Sequence, residues 1–463
     1  MSTENNERAP KALGMGAAIA NGEADPRVLA ATALDAAQAE DVAFITVLRE
    51  RAEAEAQAAA TRQKAGCLMS PLDGVPFAWK DLVDIKGTVT TAASRALVKH
   101  RKPARQDAPL VNRLAKAGLV SIGKTNLSEL AFSGLGLNPS YGTPINPADN
   151  ETPRAPGGSS AGSAVAVAKG IVPAAMGSDT AGSLRVPAAF NGLISYRPSC
   201  ARHDGEGITP LAKSFDVPGV LATSVADCLA IDDCMRIGQL QKRKQLRPSS
   251  IRLVVDEAVL DEHVSDPAVR GNLSASLEQL AEQGVAVSYT RVSAVADVLN
   301  LIATQGWLGG AEGWAEYGWL VEADVADEMD QRVKHRLLAA SQMNGEKVIS
   351  LYRQRTALMQ AIKQELEGAL LVLPTVGHVA PPLGPLEADP AYFAEVNLQS
   401  LRLTMVGSFL DMPTIALPTG LNDERQFTSL QVSAPQGNDE RLAAAGLTLS
   451  QQLGLEAILD AIR

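Results

Sequence analysis

The chain has 463 residues, 46% hydrophobic and 20% charged, the balance of a soluble globular protein long enough to bury a substantial core. Its formal charge of -10, with no Lys/Arg-rich tract, excludes nucleic acid as the main partner, because phosphate binding needs a basic face. Aromatic residues make up only 4%, so a core of Ala and other small side chains lets helices and strands approach closely.

The polar, acidic start from Met1 to Glu7 lacks the basic and apolar regions of a secretory signal. No uninterrupted apolar run is long enough for a membrane span, and a cytoplasmic protein is expected. From Asp25 to Lys64 the Ala- and Glu-rich text, with Leu29, Ala33, Ala36 and Ala37 in helical period, predicts two helices. Val75 to Asp81 reads as a short apolar strand ending on the charged pair Lys80-Asp81. Asp107 to Ala117 is helical, Leu119 to Ile122 is a buried strand, and a second helix is expected to start at Asn126.

Strand and helix go on alternating to about residue 230, the pattern of an α/β layered sheet. Between Pro139 and Gly192, Gly, Ser, Pro and Asn become frequent around embedded apolar runs. Such a loop, threaded between buried elements, can aim backbone amides at a ligand. Residues 242–367 are more helical and more charged, with Trp307, Trp314, Tyr317 and Trp319 close together. Leu370 to Pro374 and Thr414 to Pro418 read as two further core strands. No internal repeat is present. One domain over residues 1–463 is expected: a helical layer (1–65), a core (66–240), a helical cover (241–367) and returning strands with a helix (368–463).

The four cysteines, Cys67, Cys200, Cys228 and Cys234, have neither metal-site nor disulfide-framework spacing and read as free thiols. No metal cluster or cofactor loop is apparent, so catalysis without either is expected. Two formal motif matches fail on context. Gly118 to Thr125 spells a phosphate-binding loop, but its inner residues Leu119, Val120, Ser121 and Ile122 belong to a strand. Gly158-Ser159-Ser160-Ala161-Gly162 spells a nucleophile elbow, yet Pro153 and Pro156 argue against the strand such an elbow requires. None of the five histidines (His100, His203, His263, His335, His378) lies in a recognisable catalytic context.

The remaining constellation is more distinctive. Gly157-Gly158-Ser159-Ser160-Ala161-Gly162-Ser163 opens a helix, and Gly177-Ser178-Asp179-Thr180-Ala181-Gly182-Ser183-Leu184-Arg185 follows a short apolar connection. Together with Pro71 to Asp81 these segments resemble the amidase-signature family. The resemblance runs from about residue 25 to 240 and again from 368 to 450. Gly123 to Glu129, Ser214-Phe215-Asp216 and Leu373-Pro374-Thr375 support it. It implies a large α/β/α sandwich around a mixed β-sheet, with Lys80, Ser159 and Ser183 as catalytic residues and a cis peptide between Gly158 and Ser159. Ser159 is expected to bridge Lys80 and Ser183.

A serine hydroxyl needs a base within hydrogen-bond reach, and a lysine kept neutral by burial can serve. The backbone amides of Thr180, Ala181, Gly182 and Ser183 are expected to form an oxyanion hole, with Asp179 and Arg185 pairing to hold the turn. Ala181 stands where many members have Gly, which is tolerable where the local φ is negative. Tyr141, Trp307 and His378 are the candidate pocket residues. The expected activity is hydrolysis of a small or medium carboxamide to carboxylate plus ammonia or amine, and the resemblance implies a homodimer. The alternatives are a glutaminase subunit of an amidotransferase and a non-catalytic binding protein. Against the first, Val186 stands where those subunits usually carry Gln. Against the second, all three catalytic residue types are retained.

Overall fold

The structure, a computed structural model, describes residues 11–40, 42–148, 151–237 and 240–455, so the polar start of the chain lies outside it. Eleven strands form one mixed sheet. In chain order they are β1 (Phe44–Val47), β2 (Pro76–Lys80), β3 (Val120–Thr125), β4 (Ala174–Asp179), β5 (Ile194–Arg197) and β6 (Val217–Ala222). They continue with β7 (Arg252–Val255), β8 (Ala286–Tyr289), β9 (Leu370–Pro374), β10 (Thr414–Leu421) and β11 (Phe427–Ser433). Across the sheet the order is β1-β3-β2-β4-β6-β5-β10-β11-β9-β7-β8. Strands β3, β2 and β4 run parallel, the middle of the sheet is antiparallel, and β9, β7 and β8 are parallel again.

Period-two alternation puts apolar side chains on both faces of the sheet. Phe77, Trp79, Met176, Val220 and Ile415 point into one core, and Ala78, Ala175, Leu221 and Ala416 into another. On the first face pack the helices Pro109–Ala117, Pro267–Glu282 and Asp439–Gln452. The second face meets Pro26–Ala39 and Ala161–Ala168. Small Ala side chains let those last helices lie close to the sheet, and burying each large side chain such as Phe77 contributes about 1.5–3 kcal/mol. This is an α/β fold with helices on both faces.

The helix Pro109–Ala117 shows how local sequence sets the frame. Proline opens its first turn, Leu110, Val111, Leu114 and Ala117 make the buried stripe, and Gly118 ends it at φ +90°. The chain then enters β3, all of whose residues are buried, so Gly118 to Thr125 is a strand end and not a phosphate loop.

Three expectations need correction. No helix starts at Asn126. Its side-chain amide donates to the carbonyls of Val42 and Gly142, and the single turn that follows, Glu129–Ala131, is broken by Leu130 and Ala131 at φ +53° and +59°. The stretch between the first two predicted helices holds the edge strand β1. Residues 241–367 do more than cover, because β7 and β8 extend the sheet, and β11 adds a strand between β10 and β9.

Candidate active site

Lys80 is the last residue of β2 and is fully buried. Strand β4 lies beside β2, and the helix Ala161–Ala168 begins where the Gly/Ser-rich loop turns inward. These elements bring hydroxyls to the lysine from three directions. Its Nζ lies 2.7 Å from Ser159 Oγ, 2.8 Å from Ser178 Oγ and 3.0 Å from Ser160 Oγ. Among the described residues no carboxylate pairs with it. Burial pushes Lys80 down to about 7, with Asp179 and Asp216 acting at longer range in the opposite direction. A neutral amine has two N–H donors and one lone pair, so three hydroxyl neighbours match it only if one of them donates to nitrogen.

The Gly158–Ser159 peptide is cis. Ser160 N donates to the Ser183 carbonyl at 3.2 Å, which ties the two serine-bearing segments together. Among the described residues no hydrogen bond joins Ser159 Oγ to Ser183 Oγ. The structure thus brings Lys80 to Ser159 directly and Ser183 to the same loop through its backbone.

Residues 180–183 form a turn in which the carbonyls of Ala181, Gly182 and Ser183 are occupied. Thr404 Oγ1 donates to Ala181 O at 2.7 Å, Val186 N to Gly182 O at 2.8 Å, and Ser160 N to Ser183 O. Among the described residues, no acceptor takes the amides of Thr180, Ala181, Gly182 or Ser183. Unsatisfied buried amides are costly, and a run of them beside a cavity is the arrangement that receives a developing oxyanion. Positive φ in the turn falls on Gly182 alone, at +136°, so Ala181 carries its methyl without that strain.

Below the turn, Arg185 donates to Asp179 through Nε at 3.0 Å and Nη2 at 2.9 Å, and also to Gln431 and Ser408. Leu184 N donates to the same carboxylate at 3.2 Å. Burial works to raise Asp179, but Arg185 and Arg197 outweigh it and hold the carboxyl down at about 2.

A cavity of about 240 Å³ opens over Ser183, Thr180 and Ala181 and is walled by Phe132, Trp307 and Arg336. Of the three pocket residues expected from the sequence, only Trp307 lines it. Tyr141 is half-buried at the margin of a hydrophobic core, with its phenol at Thr91. His378 is turned away too, its ring held by Val379 O at 2.8 Å and Ser400 Oγ at 3.1 Å.

Sequence reading missed Ser160 and Ser178 as neighbours of Lys80, although both adjoin motif residues. It also missed Arg336. This guanidinium donates to Phe132 O and stacks 4.6 Å from the Phe132 ring, while the nearby Asp330 pairs with Arg332 instead. Burial lowers Arg336 to about 10. One arginine in a charged helix gives no sequence signal of this kind.

A family model described as Amidase matches residues 28–443. The chain belongs to the amidase-signature family. Among curated relatives it is 30% identical over 412 residues to 2-amino-5-chloromuconic acid deaminase of Comamonas testosteroni, covering 87% of each chain. It is also 30% identical over 437 residues to mandelamide hydrolase of Pseudomonas putida, covering 89% of this chain and 85% of the other. The same identity, over 480 residues and 95% of each chain, relates it to a subunit of the glutamyl-tRNA(Gln) amidotransferase of Thermobifida fusca (strain YX). A solved amidase structure superposes with a TM-score of 0.84 at 30% identity, covering 96% of this chain and 100% of the other. The chain is therefore an enzyme of the carbon–nitrogen hydrolase type.

Proposed function

We propose that this amidase hydrolyses a small or medium carboxamide through an acyl-enzyme, with Ser183 as nucleophile, Ser159 as proton relay and Lys80 as base. The observation that carries the reading is Lys80 itself: a buried amine, pushed down to about 7, surrounded by hydroxyls and with no carboxylate partner. In this mechanism Ser183 Oγ bonds to the amide carbon while its proton passes through Ser159 to Lys80 Nζ. The carbonyl oxygen takes its negative charge into the free amides of the 180–183 turn. The carbon–nitrogen bond then breaks as the proton returns from Lys80 through Ser159 to the departing nitrogen. Water repeats the sequence on the ester and frees the carboxylate. Proton transfer of this kind contributes about 10²–10⁴-fold.

Arg336 refines the substrate. A cation walled by protein, facing the cavity that contains Ser183 and in no ion pair with a carboxylate among the described residues, favours an acyl group that carries its own carboxylate. The test is release of ammonia or amine from a panel of carboxamides with and without a second carboxylate. It is run on wild type, Ser183→Ala and Lys80→Met. Release that survives Ser183→Ala would sink the nucleophile assignment.

A glutaminase component of an amidotransferase is the second reading, favoured by the similarity to the glutamyl-tRNA(Gln) amidotransferase chain of Thermobifida fusca. It predicts that glutamine is hydrolysed only with a partner present. Hydrolysis of other amides by the isolated chain excludes it.

A further inference from the structure

The cavity over Ser183 has a neighbour. A second cavity of about 230 Å³ shares Ala131, Thr180 and Leu211 with it. Its walls are mostly apolar, with Leu82, Ile208, Pro210, Val217 and Pro218 among them. Thr180, Thr209 and Lys213 also line it, and two further polar groups bear on the chemistry. Ser178 reaches it while its hydroxyl holds Lys80 Nζ at 2.8 Å, so this cavity adjoins the base. The other is Asp216.

Asp216 is packed in by protein but keeps surface toward the cavity. Its Oδ1 accepts from Thr180 Oγ1 at 2.6 Å, and its Oδ2 from Leu211 N at 2.8 Å and Ala212 N at 2.9 Å. No lysine or arginine among the described residues pairs with it. Lys213, three residues earlier, turns to Glu316 at 2.9 Å. Three neutral donors leave lone-pair capacity, Lys80 and Lys213 act on the charge only at longer range, and burial pushes the carboxyl up to about 6. Above that value the group is an anion in an apolar chamber, a poor place for a charge unless a cation visits.

We propose that this second cavity is the subsite for the amine half of the substrate, with Asp216 as the anchor for the ammonium formed after cleavage. This rests on the amidase reading above and deepens it: the substrate class becomes N-alkyl carboxamides with an apolar amine portion.

The two cavities divide the reaction between them. The acyl group stays with Ser183, Trp307 and Arg336. The second cavity touches the Ser178 hydroxyl that is bonded to Lys80, so it lies on the side of the base from which the proton returns. The carbon–nitrogen bond breaks with one proton delivered through Ser159, so the amine leaves neutral. An alkylamine titrates near the lysine value of about 10.4 and takes a second proton from water. The resulting ammonium meets Asp216, while the apolar walls cover its alkyl chain.

The test measures binding and not turnover, so it stands apart from the amidase assignment. Butylammonium chloride is titrated into Ser183→Ala protein at pH 8 and followed by the amide resonances of Thr180, Asp216 and Val217. Butanol, of similar shape but neutral, is titrated in parallel. The expected result is saturable shifts at those residues with butylammonium, weakened at least tenfold by Asp216→Asn, and binding of butanol at least tenfold weaker than that of butylammonium. Because Asp216→Asn removes an acceptor from two backbone amides, Ile208→Trp provides a second variant that fills the cavity and leaves the carboxylate in place. It is expected to weaken butylammonium at least tenfold. Equal binding of the two probes, shifts elsewhere in the molecule, or undiminished binding in Ile208→Trp would overturn the proposal. Absence of amide hydrolysis by the wild type alongside these shifts would instead count against the amidase reading.

Discussion

Lys80 and Lys124 stand one register step apart on the neighbouring strands β2 and β3, where Trp79 pairs with Lys124 and Lys80 with Thr125. Both side chains are fully buried. Lys124 meets Asp81 at 2.6 Å, with the Val89 carbonyl at 3.2 Å and Thr90 Oγ1 at 3.0 Å completing its donors. Lys80 meets only hydroxyls. An ammonium buried with a carboxylate is compensated and has a structural role, whereas a lysine buried among neutral oxygens is driven toward the free amine. Two lysines in one sheet, differing by a single carboxylate, thus separate stability from reactivity.

The comparison is broken most severely at the proposed nucleophile. Ser183→Ala should lower kcat/KM by about 10⁴-fold or more while leaving the thermal midpoint nearly unchanged, as read by amide hydrolysis and a melting scan. The two lysines should then trade effects. Lys80→Met should reduce kcat by about 10²–10⁴-fold with little loss of stability, because an apolar chain replaces a desolvated amine. Lys124→Met should lower the unfolding free energy by about 3–5 kcal/mol in a urea titration, because it leaves Asp81 buried without its cation.

In the turn, Gly182→Ala places a Cβ 2.0 Å from Thr404 Oγ1 at a φ of +136°. The resulting displacement of the amides should lower kcat by about 10²–10³-fold, the scale of a lost oxyanion donor.

The smallest effect is on pH dependence. A base must be neutral, so kcat/KM should fall as pH drops through the Lys80 value of about 7. Stability should show the matching linkage. The folded value lies below that of the unfolded chain, so between about 7 and about 10.4 only the unfolded state holds the proton. Stability therefore rises with pH across that window, and the burial cost is fully present below it. Lys80→Met should remove this slope, while the parent protein should keep it in an unfolding series at several pH values.

Much of the sheet was readable because apolar runs bounded by Gly, Pro or a charged pair mark buried strands, as at Val75 to Lys80 and Leu370 to Pro374. The strands that escaped are short or polar. β8 is Ala-Val-Ser-Tyr at an exposed edge, and β11 alternates Thr, Ser and Gln with apolar residues although both its faces are buried. Asn126 gave a helix-start signal that the tertiary structure overrode by using its amide to bridge two loops. In the site, Lys80, Ser159 and Ser183 could be named because each sits in a motif of unusual composition. Arg336 gave no comparable indication of its place, and Asp216, although part of the supporting segment Ser214-Phe215-Asp216, gave none of its place at a cavity. Their significance comes from the lack of a direct ion-pair partner among the described residues, with Asp330 acting on Arg336 and Lys213 on Asp216 only at longer range, an arrangement that appears only in the folded chain. Tyr141 and His378 were chosen by residue type, and packing turned both away from the cavity.

The central claim, that Lys80 is a neutral base at physiological pH, can be read directly by titrating the lysine ε-carbons of ¹³C-labelled protein by NMR. The account predicts one lysine signal with a midpoint at about 7 that disappears in Lys80→Met. All lysines titrating near about 10.4, or a low-titrating signal that persists in Lys80→Met, would contradict it.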